Sequence, residues 1–244
     1  MEEKELRFDR NKHVCYSKEM KAVLLRSIRQ HTSPEHAEQL WEKTQRQYEV
    51  FLKDLPYLGG KACTHNRAGG TYDCIAVFAY YEAAEEKPSL QELSDILNAV
   101  LLPPFQRLGK LVNVNRPFLL PLMGKIFTSV AKKDNALADR CPTGYLMQTE
   151  PYDKKTGVQY RFTRCPIAEF AKAHGYLDLM PAFCNGDYPA MAALHAGLIR
   201  GSTCANGDFC DYWIVGDKLP FLQQHPMQTD EKRYFYNPLH DTKK

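Results

Sequence analysis

Cys165, Cys184, Asp187 and Cys210 all lie in the last hundred residues of this 244-residue chain. The pattern places each at a junction between elements, where a rigid scaffold commonly displays reactive groups. Cys165 ends a strand just before a helix, and Cys184 stands three residues ahead of Asp187 at the approach to another helix. Cys210 opens a strand and is followed by Asp211. At a helix N-terminus, free N–H groups and the macrodipole favour a thiolate or a carboxylate. Two chemistries follow. In the first, Cys184 is a nucleophile of depressed pKa, Asp187 or His174 handles protons, and Cys210 completes the catalytic set. In the second, Cys165, Cys184, Asp187 and Cys210 gather round a divalent metal. Their spacings of 19 and 26 residues are unlike the paired Cys-x-x-Cys of common zinc sites. The plainer alternative to both is a set of small buried core thiols. No other cofactor is expected.

His174 precedes Gly175 at an expected helix end, where a histidine either caps carbonyls or serves as an acid or base. Thr203, Asn206 and Gly207 form a loop facing Cys210 across a hairpin. Free N–H groups there would meet an anionic substrate or an oxyanion, and Cys165 and Asp211 complete the expected substrate-binding set. A plain hairpin turn accounts for the same residues. The Gly-rich run Asn66-Arg67-Ala68-Gly69-Gly70 lacks the spacing of a phosphate-binding loop. It reads as a flexible connection.

The elements that must position these residues form an α+β chain. Apolar residues at helical spacing mark helices over 17–30, from Ser33 towards Gly59-Gly60, over 72–86, and over 117–133. Ser33-Pro34 is a helix start, and Ser89 with Glu92 makes a capping box before another helix. After residue 140 the period changes to that of strands. Residues 144–150 and 158–164 flank the turn-forming run Asp153 to Gly157, giving a hairpin. Helices follow from Pro166 to Gly175 and from about Asp187 to Ala196. A second hairpin pairs 197–201 with 209–215. Two hairpins joined by two helices favour an antiparallel sheet with helices on one face. The expected organisation is a mostly helical region (1–140), an α+β core (141–220) and an irregular C-terminal arm (221–244).

Composition narrows the partners. The chain carries 32 basic and 29 acidic residues, a formal charge of +3, with no dense basic block. A small-molecule substrate is therefore expected, with no nucleic acid and no membrane partner, while a homo-oligomer stays open. The charged start Met1 to Glu5 lacks the apolar run of a signal peptide, and residues 117–130 are too short to span a bilayer. The expected location is the cytoplasm. Eight cysteines in such a setting are expected to be thiols rather than disulfides.

The run CPIAEFAKAHG, then Cys184-Asn185-Gly186-Asp187, then Thr203 through Gly207 to Cys210-Asp211-Tyr212, resembles the L-2-amino-thiazoline-4-carboxylic acid hydrolase family. The resemblance covers about 140–216 well and the helical part loosely. It implies a hydrolase that opens a cyclic amidine-like ring bearing a carboxylate. It carries Cys165, Cys184, Asp187, Thr203, Gly207, Cys210 and Asp211 as family-matching positions. Two residues depart from the pattern: Tyr212 replaces a phenylalanine, and Cys204 an aliphatic residue. Arg164, Arg200 and Arg67 are the cations available to a substrate carboxylate. The competing function is a non-catalytic sensor that binds a small molecule or a metal.

Overall fold

The computed structural model describes residues 16–55, 67–136, 138 and 144–239. Cys15, Cys63, Cys141 and the Gly59-Gly60 helix stop lie outside the described residues.

Three helices begin at a serine whose side chain caps the first turn. Ser17 caps α1 (Lys18–His31) by accepting from the Met20 amide, and Ser33 caps α2 (Pro34–Asp54) with Pro34 in the first turn. The next helix, α3 (Arg67–Ala83), starts earlier than its apolar pattern predicts and absorbs most of the Gly-rich run. The flexible connection expected over 66–70 is therefore helical from Arg67 onward. Ser89 caps α4 (Leu90–Gly109) through the Glu92 amide. The Glu92 carboxylate is used elsewhere: its Oε1 accepts from Ser27 Oγ at 3.1 Å and from the Tyr80 hydroxyl at 2.9 Å. The capping-box residue thus ties α4 to α1 and α3. α5 (Leu119–Asn135) completes the helical part.

Strands β1 (Leu146–Thr149) and β2 (Val158–Arg164) form the first hairpin, which turns through Gly157 at φ 80°. A side chain there would meet the Ile214 carbonyl as well as the strain of a left-handed backbone. Then come α6 (Pro166–His174), a 3₁₀ turn, α7 (Met180–Cys184) and α8 (Asp187–Ala192). The expected helix from Asp187 to Ala196 is thus shorter, and the residues before it form a separate helix. Gly175 ends α6 at φ 77°, as a left-handed C-terminal glycine should. Strands β3 (Ala196–Ile199) and β4 (Cys210–Gly216) make the second hairpin.

The antiparallel sheet runs β1-β2-β4-β3, so the two hairpins meet along β2 and β4. In that register Phe162 pairs with Cys210 and Tyr160 with Tyr212. The two-residue alternation of strands puts Tyr160, Phe162, Cys210 and Tyr212 on one face, turned towards the helices. Tyr160 and Tyr212 stack at 4.7 Å, and Phe162 meets Tyr212 edge-on at 5.7 Å. One apolar core joins this face to α5, and a second fills the space among α1 to α4, α6 and α7. The cysteines lie where the two cores meet.

The segment beyond Pro220, expected to be irregular, carries α9 (Pro220–Gln223) and a small ladder of β5 (Gln228–Thr229) with β6 (Phe235–Tyr236). Asn237, at its far end, is almost fully buried.

Candidate active site

Arg200 organises the site. It follows β3 and is 1% exposed, the largest of the fully buried side chains. Its Nη1 donates to Asp187 Oδ2 at 2.8 Å and its Nη2 to the Cys184 carbonyl at 3.0 Å. The guanidinium lies 5.1 Å from the centre of the Tyr188 ring and 5.7 Å from that of Tyr212. Burial works against its charge, but Tyr212 and Asp187 outweigh it and hold the pKa above the usual arginine value. Nε has no hydrogen-bond partner among the described residues. Of the three cations considered from sequence, Arg200 is the one built into the site. Arg164 donates from Nε to the Gly144 carbonyl, and the Arg67 side chain is outside the described residues.

The tail fixes Arg200 from behind. Asn237 Oδ1 accepts from the Arg200 amide at 3.0 Å and from the Tyr188 hydroxyl at 2.8 Å, and Asn237 Nδ2 donates to the His225 carbonyl. Asn185 accepts from the Phe235 amide through Oδ1, and its Nδ2 donates to the Arg233 carbonyl, clamping the α7–α8 junction to the same tail.

Asp187 occupies the first turn of α8, as expected. Its Oδ2 accepts from both Arg200 and the Tyr212 hydroxyl, the latter at 2.7 Å. Oδ1 accepts no hydrogen bond from a described residue, and the side chain is half-buried. One oxygen is therefore anchored while the other is left without a donor among the described residues.

The cysteines converge on this point. Cys165, Cys184 and Cys210 are near enough to perturb one another's ionisation and to feel Asp187. Cys74, on α3, joins them through Cys165 and Asp187. Nothing in the sequence singled Cys74 out, because one cysteine on a largely buried helix has no periodic signal of its own.

The sulfurs are not equivalent. Cys184 closes α7 and also stands just ahead of α8, at the junction expected for it. Burial raises its pKa well above the usual thiol value, and Arg200 offsets this only in part. That corrects the expectation of a depressed pKa at Cys184. Burial likewise raises Cys165 to about 12, and it raises Cys74 as well. Cys210 moves the other way. The Cys204 thiol lowers it most; burial opposes, and the Cys204 amide and Arg200 lower it further. The Cys204 N–H donates to Cys210 Sγ at 3.0 Å.

The loop expected to offer free N–H groups does not offer them. The Thr203 amide donates to Asn206 Oδ1, the Ala205 amide to Thr203 Oγ1, and the Asn206 and Gly207 amides to the Thr203 carbonyl. With the Cys204 amide on Cys210, all five donors from 203 to 207 are committed. Thr203, Asn206 and Gly207 therefore shape the turn that aims Cys204 at Cys210. Asp211 lies on the opposite face of β4 and accepts from the Gly201 and Ser202 amides, which holds the base of the same loop.

His174 lies apart, in an aromatic cluster. Its ring stacks 4.1 Å from Phe170 and contacts Phe51 and Tyr176. These contacts argue against the proton-handling role considered for it. Among the described residues, no group of three or more His, Cys, Asp or Glu side chains is arranged to hold a metal ion. The carboxylate that a metal would need is instead engaged by Arg200 and Tyr212.

The sequence model for L-2-amino-thiazoline-4-carboxylic acid hydrolase matches residues 72–214, more than half of the chain. The chain belongs to that family. No curated protein and no solved structure matches it. For a member of the hydrolase family, the matched span is informative. It begins beside Cys74 and ends beyond Tyr212, so it includes the whole cysteine group, Asp187 and Arg200, and much of the helical part that the sequence motifs covered only loosely. Asn237 and the tail that braces Arg200 lie outside it. Among the described residues, no helix is long and apolar enough to cross a membrane.

Proposed function

We propose that the chain is a hydrolase that opens a non-peptide C–N bond in a small cyclic, amidine- or amide-like substrate bearing a carboxylate, with Cys210 as the nucleophile. The observation that carries this reading is the Cys204–Cys210 arrangement beside Asp187. One sulfur of the cluster receives the Cys204 amide N–H at 3.0 Å and lies beside the Cys204 thiol, and it alone among the described cysteines is pushed below the usual thiol range. These neighbours stabilise negative charge on sulfur, which is the nucleophilic form.

The thiolate adds to the sp² carbon of the ring, and the carbon–nitrogen bond breaks as the nitrogen takes up a proton. Asp187 is placed to move that proton through its open Oδ1, while Arg200 and Tyr212 fix Oδ2. Water then releases the carbon from Sγ. Over the cycle one water is added: its hydroxyl ends on the carbon and its hydrogen on the leaving nitrogen. Cys184, Cys165 and Cys74 remain thiols in this scheme and line the apolar side of the site. The role first assigned to Cys184 thus passes to Cys210, a member of the same expected set.

The test combines turnover with trapping. L-2-Amino-thiazoline-4-carboxylate and related cyclic amides are offered to the full chain, products are identified by mass, and quenched protein is digested. Ring-opened product with a substrate-derived adduct on the Cys210 peptide is expected. An adduct on the Cys184 peptide would move the nucleophile, and ligand binding without turnover would favour the sensor reading.

A further inference from the structure

The charge balance of the whole chain conceals a local imbalance. From residue 96 to residue 133 there is no aspartate or glutamate, while Arg107, Lys110, Arg116, Lys125, Lys132 and Lys133 all occur there. The span covers most of α4, its connection to α5, and nearly all of α5. The expectation of no membrane partner rested on basic and acidic residues being mixed along the whole sequence, and over this span they are not mixed.

α5 shows how the imbalance is displayed. Leu120, Val130 and Ala131 are buried, and Met123 and Phe127 pack into the core beneath the sheet. At 3.6 residues per turn, Phe118, Leu122, Lys125, Ile126, Lys132 and Lys133 fall within about 120° of arc on the opposite side. All six are exposed, Phe118 at 62%, Leu122 at 47% and Ile126 at 49%. The connection adds Leu111, 80% exposed and next to Lys110. An outward helix face that mixes large apolar tips with lysines, and carries no acid, is not an ordinary solvated surface.

From this we infer that the outward face of α5, with the preceding connection, docks the protein on an anionic lipid surface. Charge selects the occupant. In a symmetric contact between two copies, this face would set Lys125, Lys132 and Lys133 against the same lysines, which disfavours self-association here. The geometry also argues against an acidic peptide, because the apolar side chains project singly as tips. The neighbouring groove between α5 and the β1–β2 hairpin, about 500 Å³, includes Glu150, which faces Arg161 at 3.8 Å and would repel an acidic peptide. Projecting Phe and Leu tips enter the boundary between headgroups and acyl chains, while flanking lysines meet anionic headgroups.

The experiment is co-sedimentation of the full chain with large vesicles of phosphatidylcholine alone or of equimolar phosphatidylcholine and phosphatidylserine. Binding to the serine-lipid vesicles only, weakened by added salt, is expected. The triple variant Lys125→Ala/Lys132→Ala/Lys133→Ala should bind about 100-fold more weakly, at roughly fivefold per lysine near an anionic surface. Phe118→Ser/Leu122→Ser should also lose binding, and both variants should keep the parental melting temperature and turnover. Equal binding to both vesicle types, no binding to either, or unchanged binding by the lysine variant would overturn the inference. So would capture by polyglutamate beads together with no vesicle binding, which would reassign the face to an acidic protein.

Discussion

The loop from Arg200 to Asp211 and the helical wall from Cys165 to Asp187 face the same group of sulfurs and treat them in opposite ways. The wall is aromatic: Phe183 stacks on Phe78 at 4.2 Å, and Phe78 in turn on Tyr176. Cysteines on that side lose water and gain little in return, so they stay protonated. The loop is polar and internally wired. It spends its own hydrogen bonds on a turn that aims the Cys204 amide at Cys210 and sets the Cys204 thiol beside it. Proximity to Asp187 is common to both sets and therefore does not decide which sulfur reacts. Hydrogen bonding to the charged form does.

Serine replacement at the two sites gives the largest expected contrast. Cys210→Ser should reduce kcat by about 10³-fold or more, the scale of losing a nucleophile. Cys184→Ser, which removes only a wall thiol, should cost about tenfold or less. Steady-state rates, with circular dichroism confirming both folds, decide the matter. A reversed order would break the comparison and restore the helix-end cysteine as nucleophile.

The next effect tests whether Asp187 serves chemistry as well as architecture. Asp187→Asn keeps the shape of the side chain but leaves the buried guanidinium of Arg200 without its counter-charge. Removing one member of a buried pair costs about 3–5 kcal/mol, and the partial exposure of Asp187 places this case at the lower end, near 3 kcal/mol. Urea denaturation measures that loss. Turnover should fall by about 10²-fold or more in protein that remains folded, as for a lost proton-transfer group. A stability loss with unchanged kcat would confine Asp187 to holding Arg200.

These outcomes bear on how far the site was legible in the amino-acid sequence. Local signals carried well. Ser33 and Ser89 cap where their side chains predict, Gly175 closes α6, and the turn at Gly157 joins β1 to β2 as a hairpin. The junction argument also gathered the right neighbourhood, since Cys165, Cys184, Asp187 and Cys210 do converge. What it could not supply was direction. The five-residue α7 is too short to show a helical period, so nothing in the sequence showed that Cys184, ahead of α8, also closes a helix of the buried wall. The five committed amides of 203–207 are a property of loop geometry that composition does not reveal. Arg200 lies in a strand-to-loop passage and was one of three unranked cations, and only its burial against Tyr188, Tyr212 and Asp187 distinguishes it. Asn237 was hidden in a polar tail whose aromatic residues show no period of two or 3.6.

The smallest expected effect is the sharpest test of the wiring. Cys204, a departure from the family pattern, supplies the largest influence lowering the Cys210 pKa. If the Cys210 thiolate is the reactive form, kcat/KM falls as pH drops through that pKa, by about tenfold per unit well below it. Cys204→Ala removes the neighbouring thiol but keeps the backbone N–H, so the Cys210 pKa should rise part of the way towards an ordinary thiol. The acid limb of the profile then moves to higher pH, while the plateau above it stays within about threefold of the parent. Cys184→Ser, outside this hydrogen-bonded pair, should leave the limb almost where it was. Profiles of kcat/KM for parent and both variants make the measurement. A limb unmoved by Cys204→Ala would mean that the titrating proton is not on Cys210, and the loop would then be a turn that merely passes close to a sulfur.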